Sequence, residues 1–92
     1  MKIEFDGDKN ERNIKTRDLP FELAAEFDWD DAIYYEDDRR EYPEQRIIAL
    51  GFLRERLHVM CFTPINGGIR VISFRKANKR EVSYYEKETL DR

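Results

Sequence analysis

Three apolar runs follow one another closely: Arg46-Ile47-Ile48-Ala49-Leu50-Gly51-Phe52, then Arg56-Leu57-His58-Val59-Met60-Cys61-Phe62-Thr63, then Ile69-Arg70-Val71-Ile72-Ser73-Phe74. Each is rich in β-branched, aromatic or aliphatic residues and short enough to be a strand. A short polar hairpin separates the first two, and Pro64-Ile65-Asn66-Gly67-Gly68 links the second to the third. Consecutive antiparallel pairing is the simplest topology for such spacing. In the middle strand, Leu57, Val59 and Cys61 form the expected core row, leaving His58 with Arg56, Met60 and Phe62 on the other face.

Downstream, the third strand turns through Arg75 and Lys76, and Asn78 with Glu81 three residues later has the form of a capping box. The spacing predicts a final helix running to Thr89, with Val82 and Tyr85 three apart on its buried side. A helix start offers unpaired N–H groups and a positive dipole end, so the turn, with Arg75, Lys76, Lys79 and Arg80, is an expected anion site. Upstream, Lys2 to Phe5 and Ala32 to Glu36 read as strands. Lys9 to Arg17 reads as a helix capped by Asp8 and Glu11, and Pro20 as a second helical start carrying Phe21, Leu23, Ala24, Ala25 and Phe27. The resulting expectation is one α+β domain over residues 1–92, ordered β-α-α-β-β-β-β-α. Its sheet would be mostly antiparallel with four or five strands, and its helices would pack mainly on one face.

Charge is divided along the chain. Residues 1–46 are net −7 and residues 47–92 net +4, so the second half suits a polyanion and the first a basic protein partner. Cys61 is the only cysteine and His58 the only histidine, which excludes an internal disulfide and gives no basis for a zinc site. With no long apolar stretch and no signal-peptide pattern at its start, the chain is expected to be cytoplasmic, without membrane contact.

The residues resemble the BrnT family, ribonuclease toxins of type II toxin–antitoxin systems. Phe5-Asp6, Lys9, Asn13, Phe21 and Ala24 match the family's opening pattern without a gap, and Asp38-Arg39, Glu44, Arg46 and Gly51 match its centre. Its closing block corresponds to Ile69-Arg70, Ile72-Ser73, Arg75-Lys76-Ala77, Arg80-Glu81 and Tyr85. Where family members commonly carry Lys-His-Gly, this chain has Thr16-Arg17-Asp18, with Lys15 the nearest lysine. The resemblance implies a RelE-like fold and endoribonuclease activity that inhibits translation. It also implies a BrnA-like antitoxin that neutralises the toxin and alone contacts operator DNA. The Thr16-Arg17 replacement keeps a second reading open: a catalytically impaired toxin fold that acts as a binding or co-repressor module.

RNA cleavage without a metal or other cofactor turns the substrate's 2′-hydroxyl on the adjacent phosphate, and requires a proton acceptor, a proton donor and charge stabilisation. Arginine meets phosphate oxygens in pairs but does not act as a base, so Arg46, Arg70 and Arg75 are expected phosphate clamps converging on one pocket. Glu44, His58, Lys76 and Tyr85 are the candidates for proton transfer, with Glu44, Lys76 and Tyr85 favoured. The ordinary imidazole pKa lies near neutrality, but a lone strand histidine is more often a polar surface residue than a catalyst. Arg17, Lys79 and Arg80 are the further RNA-binding candidates. Tyr85 is as well suited to core filling, and Glu81 to capping. Trp29, Tyr34, Tyr35 and Tyr42, set among acidic residues, suit either a small core or a basic antitoxin segment.

Overall fold

The computed structural model describes residues 1–90. Its elements are β1 (Lys2–Phe5), α1 (Gly7–Arg17), a 3-10 helix (Phe21–Glu26), β2 (Ile33–Glu36), β3 (Ile47–Leu53), β4 (Arg56–Ile65), β5 (Gly68–Lys76) and α2 (Lys79–Glu88). The element order is the expected one, with the second helical segment in the tighter 3-10 form. Phe21 and Ala24 are buried there, and Phe27 follows at the same interval of three, which fits three residues per turn. The cap of α1 lies two residues earlier than its sequence suggests: Asp6, straight after β1, accepts from the backbone N–H groups of Asp8 and Lys9.

The sheet has five strands in the order β1-β5-β4-β3-β2. β2 to β5 form an antiparallel meander, whereas β1 joins the far edge parallel to β5, so the sheet is mixed. Two glycines make the β4–β5 turn and the β1 docking possible. Gly67 has φ +82°, and a Cβ on Gly68 would lie 1.9 Å from the Lys2 carbonyl oxygen.

α1 and the 3-10 helix cover one face and α2 the other, so two of the three helical segments share a face. On one face Leu19, Phe21, Ala24 and Phe27 pack with Met60, Phe62, Val71 and Phe74. On the other, Ala77, Val82 and Tyr85, from the end of β5 and from α2, cover Leu50, Leu57 and Val59. The cause is visible in β4, where every residue from Leu57 to Thr63 is buried. An apolar run without polar alternation marks a strand sandwiched on both sides. His58 is therefore an interior residue, 4% exposed.

A bulge in β5 then fixes which side chains reach which face. Cys61 pairs with Ser73 but Phe62 pairs with Val71, leaving Ile72 as the extra residue. Val71 and Phe74 accordingly share the α1-side core, while Ser73 and Arg75 turn toward α2 and Lys76 toward α1.

Candidate functional site

α1 is a polar helix that docks through two buried asparagines rather than an apolar stripe. The Asn10 side-chain oxygen accepts from the Phe21 backbone N–H at 2.8 Å. The Asn13 amide donates to the carbonyls of Leu19 at 2.8 Å and Phe74 at 3.0 Å. β1 pairs only as far as Val71, so Asn13 serves a β5 carbonyl beyond the end of that strand. Asn13 Oδ1 in turn accepts from Arg17 at 2.6 Å. The family-like Asn13 is thus a positioning residue for Arg17, a role its place in a helix did not reveal. Asp18, with φ 52°, ends the helix in a left-handed turn.

This last turn of α1 faces the ends of β4 and β5 across a cavity of about 650 Å³. Its charged lining comprises Lys15, Arg17, Arg75 and Lys76 against the single carboxylate of Asp18, with His58 in the wall. Such an excess of fixed cations in a concave site favours a polyanion. His58 Nδ1 lies 2.8 Å from the Arg56 carbonyl oxygen, and its ring rests against Phe74 at 5.5 Å between centroids. Lys76 is its direct cross-strand partner, on the same face. Burial, above all, pushes the His58 pKa below its ordinary value, and the charges of Arg56 and Lys76 add to this.

At the α2 start, the expected anion site is already occupied by the protein's own carboxylate. Asn78 and Glu81 form the capping box, and Glu81 also grips Arg75 through two 2.8 Å bonds. These hydrogen bonds raise the Arg75 pKa and lower that of Glu81. Lys79 and Arg80 stand exposed on the first turn. Beside the Arg75–Glu81 pair, a second cleft holds Cys61, Ser73 and the Asp37–Arg39 pair. Asp37, 5% exposed, binds Arg39 at 2.7 and 2.8 Å, which pulls its carboxyl pKa down to about 2.

The three arginines expected to converge do not share a cavity. Arg75 borders the α1–β5 cavity, while Arg46 lies just before β3, bonded to Glu44 at 3.2 Å and stacked 4.1 Å over Tyr42. Arg70 sits five residues before Arg75 on β5, roughly 15 Å along the strand, facing Glu4 at 3.4 Å. Tyr85 is 9% exposed in the α2-side core, and its hydroxyl donates to the Asp31 carbonyl at 2.9 Å. Of the expected residues, Arg17, Arg75 and Lys76 are brought together. His58 and Lys15 join them, and Glu44, Arg46, Arg70 and Tyr85 stand elsewhere. Among the aromatics, Trp29 is core, edge-on to Phe27 and Phe62 with its indole N–H on the Ala24 carbonyl, while Tyr34 and Tyr35 remain exposed.

Comparison with known families finds a match over most of the chain. The model of the ribonuclease toxin BrnT of type II toxin–antitoxin systems covers residues 5–81, a span that contains every residue named in the cavity. No curated protein matches the chain.

Proposed function

We propose, for a chain that belongs to the BrnT family of ribonuclease toxins of type II toxin–antitoxin systems, that it is a RelE-like endoribonuclease which cleaves RNA without a metal and thereby inhibits translation. The observation that carries this reading is the cationic cavity between the end of α1 and the ends of β4 and β5. An RNA phosphate there meets the Arg17 guanidinium and the Lys76 ammonium, which stabilise the negative charge that builds on the phosphoryl oxygens as the 2′-oxygen attacks, while Arg75, paired with Glu81, borders the same cavity. Lys76 also lends a proton to the departing 5′-oxygen. Asn13 holds Arg17 in place, so its guanidinium meets substrate with little ordering cost.

The partner in this reading is a BrnA-like antitoxin that covers the site and alone binds operator DNA. An adjacent gene for a short ribbon-helix-helix-like protein, together with growth arrest when the toxin is expressed without it, supports the pairing. The enzymatic test uses purified, antitoxin-free protein and RNA in the presence of a chelator. Fragments ending in 5′-hydroxyl and 2′,3′-cyclic phosphate are expected, and RNA left intact over long incubation overturns the assignment.

One observation favours a second reading. Thr16-Arg17 stands where the family commonly has Lys-His, and a guanidinium fixed on Asn13 binds phosphate but transfers no proton. A toxin fold used only for binding then retains RNA in a salt-sensitive manner without cutting it.

A further inference from the structure

Resting on the ribonuclease reading above, we propose that His58 is a catalytic residue, the group that takes the proton of the RNA 2′-hydroxyl at its Nε2 inside the α1–β5 cavity. A carbonyl oxygen only accepts, so the 2.8 Å contact with Arg56 fixes the hydrogen on Nδ1 and leaves the Nε2 lone pair free. Among the described residues Nε2 has no protein partner. Among the described residues the one side-chain polar atom both sealed from solvent and unbonded is the Thr63 hydroxyl, so the unbonded Nε2 is reached by solvent, and His58 lines the cavity. Phe74 packs the ring and Arg56 anchors it, a rigid setting for a base on a central strand.

The charged groups around it are Lys15, Arg17 and Asp18 from the end of α1, Arg56 at the start of β4, and Arg75 and Lys76 from β5. Five of the six are cations; burial first, and then the charges of Arg56 and Lys76, lower the imidazole pKa and so favour its neutral, proton-accepting form. Their electrostatic pull also favours an RNA phosphate beside the ring. In the reaction the bond from the 2′-oxygen to phosphorus forms as the bond from phosphorus to the 5′-oxygen breaks. The 2′-hydroxyl proton passes to His58 Nε2, the 5′-oxygen takes a proton from the Lys76 ammonium, and solvent returns both groups to their starting states.

The test measures cleavage and its pH profile for the wild type, His58→Asn and His58→Gln, alongside binding of a 2′-deoxy analogue that is not cut. Asparagine retains a donor for the Arg56 carbonyl, so a purely structural histidine is replaced well. The wild-type rate is expected to climb with pH along a one-proton limb and level off. The variants are expected to lose about 10²-fold to 10⁴-fold in rate, to lose the limb, and to bind the analogue as before. Because His58 is the only histidine, a histidine-selective acylating reagent gives a readout without mutation: one modified group is expected to end cleavage, and bound analogue to slow its modification. Variants or folded, acylated protein that cleave within about threefold of wild type, with the limb intact, overturn the role of His58 alone. Wild-type protein that binds RNA and never cuts it overturns the ribonuclease reading and this role with it.

Discussion

Replacing Asn13 by alanine tests how α1, and Arg17 with it, is held against the sheet. The amide gives two hydrogen bonds, at 2.8 and 3.0 Å, to carbonyls of residues only 6% and 0% exposed, and accepts a third from Arg17 at 2.6 Å. Alanine removes all three and strands two buried acceptors. At about 1–3 kcal/mol for each unsatisfied carbonyl, the expected loss is about 3 kcal/mol. In a domain of this size that lowers the melting temperature by roughly 15 °C. Urea unfolding followed by the fluorescence of Trp29, the single tryptophan and one packed on Phe27 and Phe62, measures the change directly. Asn13→Asp separates the contributions: it keeps the acceptor for Arg17 but loses both donors and sets a carboxylate against two carbonyls, so it is expected to be no milder than alanine. A loss under about 0.5 kcal/mol for the alanine variant, or a clearly milder aspartate, refutes the assignment of the docking energy to the two carbonyl bonds.

Three further outcomes follow from other parts of the molecule. The folded-state pKa of Asp37 is depressed to about 2, so its contribution is fully present above the unfolded carboxylate pKa, declines below it and is lost as pH falls through the folded value. Between about pH 4 and pH 2 the wild type should lose on the order of 1 kcal/mol that Asp37→Asn does not, as read from acid melting curves, and parallel curves contradict this. Gly68→Ala brings a Cβ to 1.9 Å from the Lys2 carbonyl and should release β1, seen as fast amide exchange over residues 2–5 while β3 and β4 stay protected; uniform protection contradicts it. Arg17→Gln should weaken binding to single-stranded RNA and reduce the slope of log affinity against log salt by about 0.7, whereas an unchanged slope removes Arg17 from the phosphate contacts.

The three strands from Ile47 to Lys76 were legible because their apolar runs are separated by short turns, and the α2 cap because Asn78 and Glu81 carry a spacing with one physical use. Two-sided burial was also written in β4, whose run from Leu57 to Phe62 contains only His58 as a polar residue, though simple alternation suggested one core row. Other features leave no local pattern. The extra residue at Ile72 decides that Lys76 joins His58 while Arg75 turns to Glu81, and a bulge follows from pairing rather than from composition. The parallel return of β1 rests on the close approach at Gly68, which reads in sequence as part of a turn. Basic residues alone suggested that Arg46, Arg70 and Arg75 converge, but strand length holds Arg70 and Arg75 apart and Glu44 retains Arg46.

The measurement that bears most directly on the cationic cavity as the seat of RNA cleavage compares single-turnover cutting by wild type, Lys76→Gln and Lys2→Gln under one set of conditions, each shown to be folded. Lys2 and Lys76 lie toward opposite ends of β5, so the two variants lose the same charge at different places. Lys76→Gln is expected to cut at least about 10²-fold more slowly while Lys2→Gln matches the wild type. Equal rates for Lys76→Gln and wild type would place the chemistry outside the cavity.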